Sequence, residues 1–224
     1  MRWGRAQAPT GFVRSPPLFV SLRTDFSYKI HMKRKNIEIG KDVLLGKNVK
    51  IEDNVQILGQ CSIGDDCILR SGTRLEDVVL GAECIVENSR IEKSQFGKSC
   101  KIGPYANVRQ NCIVADDVKV GAFVELKNSY ISCGCKMAHL SYIGDAELGE
   151  NVNVGCGVVF ANYDGKKKQR SKIGNNVFIG CNVNIVAPVT VADDTYICAG
   201  TTVTKDTEKG DFVIGRVRQE NKKR

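Results

Sequence analysis

From Ile39 onward, aliphatic residues recur every six positions: Ile39, Leu45, Ile51, Ile57, Ile63, Leu69 and Leu75. Two places before each stands a second apolar or small residue: Ile37, Val43, Val49, Val55, Cys61, Cys67 and Thr73. After one-residue slips the period resumes at Ile102, Val108, Val114, Val120 and Leu126, at Met137 and Ile143, at Leu148, Val154 and Phe160, and from Ile173 to Val203. A period of six suits neither an α-helix nor an alternating strand. It is the hexapeptide signature of a parallel β-helix, in which each unit makes a short strand and a turn. No unit can bury its aliphatic side chain alone, and stacked coils create a continuous column. Each buried Ile, Leu or Val contributes about 1.5–3 kcal/mol before entropy is counted. The expected fold is therefore all-β.

The register gives most of the ten cysteines a plain task. Cys61, Cys67, Cys84, Cys100, Cys112 and Cys135 stand two before a stacking aliphatic and read as small inward hydrophobes. Cys133, Cys156, Cys181 and Cys198 fall off that slot. Cys133-Gly-Cys135 lacks the second ligand pair of a zinc site, so no metal is expected. No run reaches the roughly 20 apolar residues of a membrane span. "PPLFVSL" is too short and broken for a secretory signal, so a cytoplasmic protein is expected. The net charge of +8 is concentrated at the ends: residues 1–35 carry +7 and residues 216–224 carry +4. The body, residues 36–215, has 20 basic and 23 acidic residues. Nucleic acid is therefore not the expected partner.

Two segments break the rhythm. Residues 1–35 are Arg-rich, acid-poor and without repeats, and read as a basic disordered extension, with a transit peptide as the alternative. "ANYDGKKKQRSK", residues 161–172, interrupts the column between Phe160 and Ile173. Its charges cannot enter the dry interior, so it must loop outward, and insertions in repeat proteins commonly mark the binding face. The expected organisation is an extension to 35, a solenoid over 36–204 with that extruded loop, and a tail over 205–224.

The run "IGPYANVRQ", "VGAFVELKNSYI", "AHLSYIGDAELG", "VNVGCGVVFANYDGKKK", "IVAPVTV", "AGTTVTKD" and "GRVRQENKK" resembles the acetyltransferase domain of the bacterial bifunctional N-acetylglucosamine-1-phosphate uridylyltransferase/glucosamine-1-phosphate N-acetyltransferase. The likeness covers about residues 36–224 and is densest over 102–216. It implies a left-handed β-helix, a homotrimer, acetyl-CoA as co-substrate and glucosamine 1-phosphate as acceptor, on the route to UDP-N-acetylglucosamine. No glycine-rich nucleotide loop precedes residue 36, so uridylyl transfer is not expected of this chain and would fall to a separate uridylyltransferase.

The resemblance assigns residues as well. The histidine of the "GHLxY" motif, here His139 after Ala138, is the base that takes the proton from the attacking amine, a role suited to a side chain titrating near neutrality. Arg109, Lys127, Tyr142 and Asn153 fall at the sugar-phosphate site, where a guanidinium and an ammonium suit a dianion. His139 and Tyr142 are three residues apart, so a turn must bring them together. Cys156, Asn162, Tyr163, Lys168, Cys181, Ala199 and Arg216 fall at the coenzyme A site. Acetyl transfer of this kind needs no metal and no acetyl-cysteine. The competing readings are another hexapeptide acyltransferase with a different acceptor, and a scaffold without activity. A carbonic anhydrase of this fold needs three histidines, and the body holds His139 alone.

Overall fold

The computed structural model describes residues 36–222; the stretch read as an extension, residues 1–35, lies outside them. The described residues form no helix. Their strands are two to seven residues long and pair in parallel with the coil above and the coil below. The commonest spacing between partners is eighteen residues, as in Glu38↔Gln56 and Ile57↔Leu75. One coil is therefore three six-residue units, and the solenoid is a prism of three faces. The period is that of the left-handed form implied by the resemblance. Slips shorten some coils, and the extruded loop lengthens one to twenty-five residues.

One face is a ten-stranded sheet running from Lys50–Ile51 to Phe212–Val213. The other two faces belong to a single seventeen-stranded sheet. They merge because Arg74–Leu80 and Arg90–Phe96, seven residues each, run across the corner between them. The last rung, Phe212–Val213, pairs with Tyr196–Ile197. The solenoid thus continues into the segment expected to be a tail, because Phe212 stacks on the ring of Tyr196.

The interior is the column that the period predicts. Ile57, Leu75, Ile91, Val108, Leu126 and Ile143 lie rung on rung and are fully buried. Cys61, Cys67, Cys84, Cys100, Cys112 and Cys135 are buried free thiols. Several donate Sγ–H to a carbonyl of the next coil, Cys67 to Gly81, Cys84 to Gly97 and Cys135 to Gly149. Burial pushes the Cys135 thiol up to about 11, so it stays protonated and unreactive. Cys198, off the slot in sequence, is buried too, whereas Cys133 and Cys181 are exposed.

The prism turns at residues with positive φ. Asn48, Asn54, Asp66, Asp117, Asn151, Asn176 and Asp194 take φ between 55° and 59°. Asn and Asp tolerate this region because their short side chains hydrogen-bond locally.

Candidate active site

Asn107–Arg109, Glu125–Lys127, Tyr142–Gly144 and Val159–Ala161 lie side by side on one face. Their middle residues, Val108, Leu126, Ile143 and Phe160, point into the column. The flanking residues point out and form two ladders. Glu125 lies beside Tyr142, while Arg109, Lys127 and Gly144 follow one another. Arg109 donates from Nε and Nη2 to Glu125 Oε1 at 3.0 and 2.6 Å. Gly144 leaves room for the Tyr142 hydroxyl and the Asn162 amide, which a Cβ there would displace. The ring of Tyr142 therefore reaches along the strand to the Lys127 ladder.

Lys127 is only 6% exposed. The charged group that acts on it most strongly is Lys168, from the extruded loop. That second ammonium, then burial, hold Lys127 below the ordinary lysine range; Asp145 pulls the other way and Arg109 adds to the lowering. A buried ammonium whose field is dominated by a second ammonium leaves positive charge that an anion would neutralise.

The next corner holds Asn128, Asp145 and Asn162. Both amides donate to the Asp145 carboxylate, one to each oxygen. Asn162 Nδ2 also lies 3.3 Å from the Tyr142 hydroxyl. The loop that begins here is compact: Asp164 Oδ1 accepts from the N–H groups of Lys166 and Lys167, each at 2.8 Å, and Tyr163 bridges Lys168.

On the opposite side of the face, His139 ends the strand Lys136–His139 and is exposed. Leu140 turns the corner at φ 43°, and Tyr142 opens the next strand. The turn thus sets the backbones of His139 and Tyr142 on the two sides of one corner, while the Tyr142 hydroxyl reaches away to Asn162. That corner continues as a ladder of backbone hydrogen bonds: Gly157 N–H to Leu140 O, Asn182 N–H to Cys156 O and Gly200 N–H to Cys181 O. The Arg216 guanidinium donates to Ala199 O at 2.7 Å. Cys156, Cys181, Ala199 and Arg216 therefore line one edge that starts at His139. Three coil steps at about 4.8 Å carry it roughly 14 Å from Leu140 to Gly200.

The structure thus joins Arg109, Lys127, Tyr142 and Asn162 on one face and Cys156, Cys181, Ala199 and Arg216 along one edge, with His139 at their junction. Asn162, expected with the cofactor residues, sits instead by Tyr142 and Asp145, and three expected residues fall outside both groups. Lys168, expected with the cofactor residues, stands against Lys127, because the loop leaves from the far corner of the face. Asn153 lies on the outer side of the ten-stranded sheet, between Lys136 and Phe178. Tyr163 is exposed on the loop.

Several residues escaped the sequence reading. Glu125 and Asp145 are the carboxylates that face the cations. Tyr105, Phe123 and Leu140 occupy positive-φ corner positions and are 54–60% exposed, directly above the His139 edge. Bulky residues in that region are strained. The available signal was their size at a corner that elsewhere carries Asn88, Gly157, Asn182 and Gly200. Among the described residues no group of three or more His, Cys, Asp or Glu side chains could hold a metal ion, and no helix is long and apolar enough to cross a membrane.

Residues 30–136 match the family model described as the GMPPB C-terminal domain, and residues 170–205 match the bacterial transferase hexapeptide model of six repeats. "Bifunctional protein GlmU" of Clostridium botulinum strain 657 is 45% identical over 187 residues, which is 84% of this chain and 40% of that protein. "Bifunctional protein GlmU" of Listeria welshimeri gives the same identity and coverage. The chain thus spans 40% of the length of these curated relatives. Among solved structures, a UDP-N-acetylglucosamine acyltransferase from Campylobacter jejuni aligns at TM-score 0.44 and 14% identity, over 76% of this chain and 68% of that one. That likeness carries no functional argument.

Proposed function

The chain is a homologue of the C-terminal, acetyltransferase part of the bifunctional GlmU proteins, and on that premise we propose that it transfers an acetyl group from acetyl-CoA to the amine of glucosamine 1-phosphate. The observation that carries this reading is the position of His139, exposed where the cationic face meets the edge leading to Arg216. The product is N-acetylglucosamine 1-phosphate, the substrate a uridylyltransferase needs to make UDP-N-acetylglucosamine.

The acceptor phosphate is a dianion. Lys127 and Lys168 supply two ammonium groups for it, and Arg109 keeps guanidinium donors beyond those given to Glu125. Charge-assisted hydrogen bonds of this kind contribute about 1.5–3 kcal/mol each. Anchoring the phosphate there brings the sugar amine toward the corner where His139 stands. Acetyl-CoA supplies an acetyl group activated as a thioester, and its arm follows the edge of Cys156, Cys181 and Ala199 with Arg216 as a phosphate partner. The neutral amine attacks the thioester carbonyl. His139 takes the proton that the nitrogen sheds as the C–N bond forms, and returns it to the sulfur as the C–S bond breaks. Holding both reactants at one corner supplies the proximity that such a step requires.

His139, Leu140 and Tyr163 are exposed in a single chain. A neighbouring copy in a trimer would cover them and exclude water from the thioester. Asn153, on its separate face, would then serve a site shared between copies.

The test is acetyl-CoA with glucosamine 1-phosphate, glucosamine 6-phosphate and glucosamine, with free thiol followed by colour. Thiol release with glucosamine 1-phosphate, at least a hundredfold faster than with the other two, is expected. No release, or equal rates for all three, would overturn the reading.

A further inference from the structure

Asp145 is 7% exposed, a burial that a carboxylate bears only when it is hydrogen-bonded. Its two oxygens are divided between two coils. Asn128 on one side and Asn162 on the other each donate an amide N–H to it. It takes φ 50°, the corner conformation, and its backbone is fixed by its own N–H to Lys127 O and by Ser171 N–H to its carbonyl.

Asn162 is the first residue after the strand Val159–Ala161, so the Asp145 bond fastens the extruded loop at its start. Arg170 fastens it at its end. The Arg170 guanidinium donates to Asn128 O at 3.0 Å and to Ala146 O at 3.4 Å, stands 3.7 Å from Glu147 and covers the ring of Tyr130. Both ends thus converge on Asn128, Asp145 and Ala146. Between them the loop is bonded to itself, with Gln169 N–H given to Asn162 O and two backbone N–H groups given to Asp164. A loop so closed moves as one body, and its stem decides where Lys168 stands. Asp145 is also the negative charge facing Lys127, against the positive charges of Lys168 and Arg109.

We propose that Asp145 is a positioning residue: its buried carboxylate pins the stem of the extruded loop to the acceptor face, and so sets Lys168 against Lys127 for the phosphate of the acceptor. The proposal rests on the acetyl-transfer reading above and extends it to a residue that need not touch either substrate.

Asp145→Asn keeps the shape, removes the charge and turns one acceptor into a donor facing an amide. In the full-length chain it is expected to raise the KM for glucosamine 1-phosphate about tenfold and to change kcat and the KM for acetyl-CoA less than threefold. Trypsin should cut the native variant at Lys166–Lys168 at least fivefold faster, with the melting temperature within a few degrees of wild type. Asn128→Gly suits the positive φ at 128 and removes one of the two amides. It should raise the same KM about threefold, and it carries the test if Asp145→Asn does not fold. An unchanged KM for glucosamine 1-phosphate in an active protein, or unchanged trypsin protection, would overturn the proposal. A wild-type protein that releases no thiol would instead sink the functional reading, and the trypsin comparison would still decide whether Asp145 holds the loop.

Discussion

The coils before residue 100 and the coils from Arg109 onward share one backbone design but treat charge differently. In the first, outward charges find partners close by. Arg70 meets Glu87 at 2.8 Å, Arg74 meets Glu76 at 3.1 Å and Arg90 meets Glu92 at 2.8 Å. All are part-exposed pairs of the kind that adds about 0–1 kcal/mol. In the second, Lys127 is buried with Lys168 and Arg109 against the single carboxylate of Asp145, which already takes two amide hydrogen bonds. Burial is what makes this informative. Lys101, Lys119 and Lys136 also stack in register, but they are exposed and water solvates them. A solenoid that can neutralise its surface in one region and leaves a buried cation beside another cation elsewhere marks the place where a ligand belongs.

Substitutions can break that comparison, and the largest effect is expected at the junction itself. His139→Ala should lower kcat by about 10²–10⁴-fold, the usual contribution of a positioned base, with an unchanged melting temperature. Near-normal thiol release would remove His139 from the mechanism. Next comes the cation pair. Lys127→Ala should raise the KM for glucosamine 1-phosphate about tenfold or more, at roughly 1.4 kcal/mol per tenfold, and leave the KM for acetyl-CoA within about twofold. The control from the paired region is Arg70→Ala, expected to change neither constant and to cost less than about 1 kcal/mol of stability. Equal consequences at 70 and 127 would erase the distinction between the two regions.

A smaller effect sharpens it through pH. The Lys127 ammonium is held below the ordinary lysine range by Lys168, with Arg109 adding to that and Asp145 opposing it. Its charge is therefore lost at a lower pH than that of an exposed lysine. The kcat/KM for the acceptor should fall as pH rises through this lowered value. Lys168→Ala should move that alkaline limb upward, because the chief cause of the shift is gone. A limb that stays in place would place the titration elsewhere.

The solenoid was legible because its determinant is one-dimensional. Ile57, Leu75 and Leu126 need only a period and an apolar side chain, and the loop announced itself by interrupting that period. The edge was assigned through the resemblance, and the register shows why its members share a line. From His139 to Cys156, Cys181, Ala199 and Arg216 the intervals are 17, 25, 18 and 17 residues, each the length of a coil. What depends on reach rather than register was not legible. Lys168 and Arg170 sit in a loop whose direction no period encodes. Asp145 shows its role only once Asn128 and Asn162 are known to flank it. The seven-residue strands Arg74–Leu80 and Arg90–Phe96 cross a corner where the coils shorten, and Phe212 joins the prism through a ring stack after a break in the repeat.

The most direct measurement is calorimetric titration of the wild-type protein with glucosamine 1-phosphate and with glucosamine, repeated on Lys127→Ala. The phosphorylated sugar should bind wild type about a hundredfold tighter than glucosamine, and Lys127→Ala should remove most of that difference. Equal affinities for the two sugars, or a preference that survives the loss of Lys127, would contradict the assignment of the buried lysine pair to an anionic acceptor.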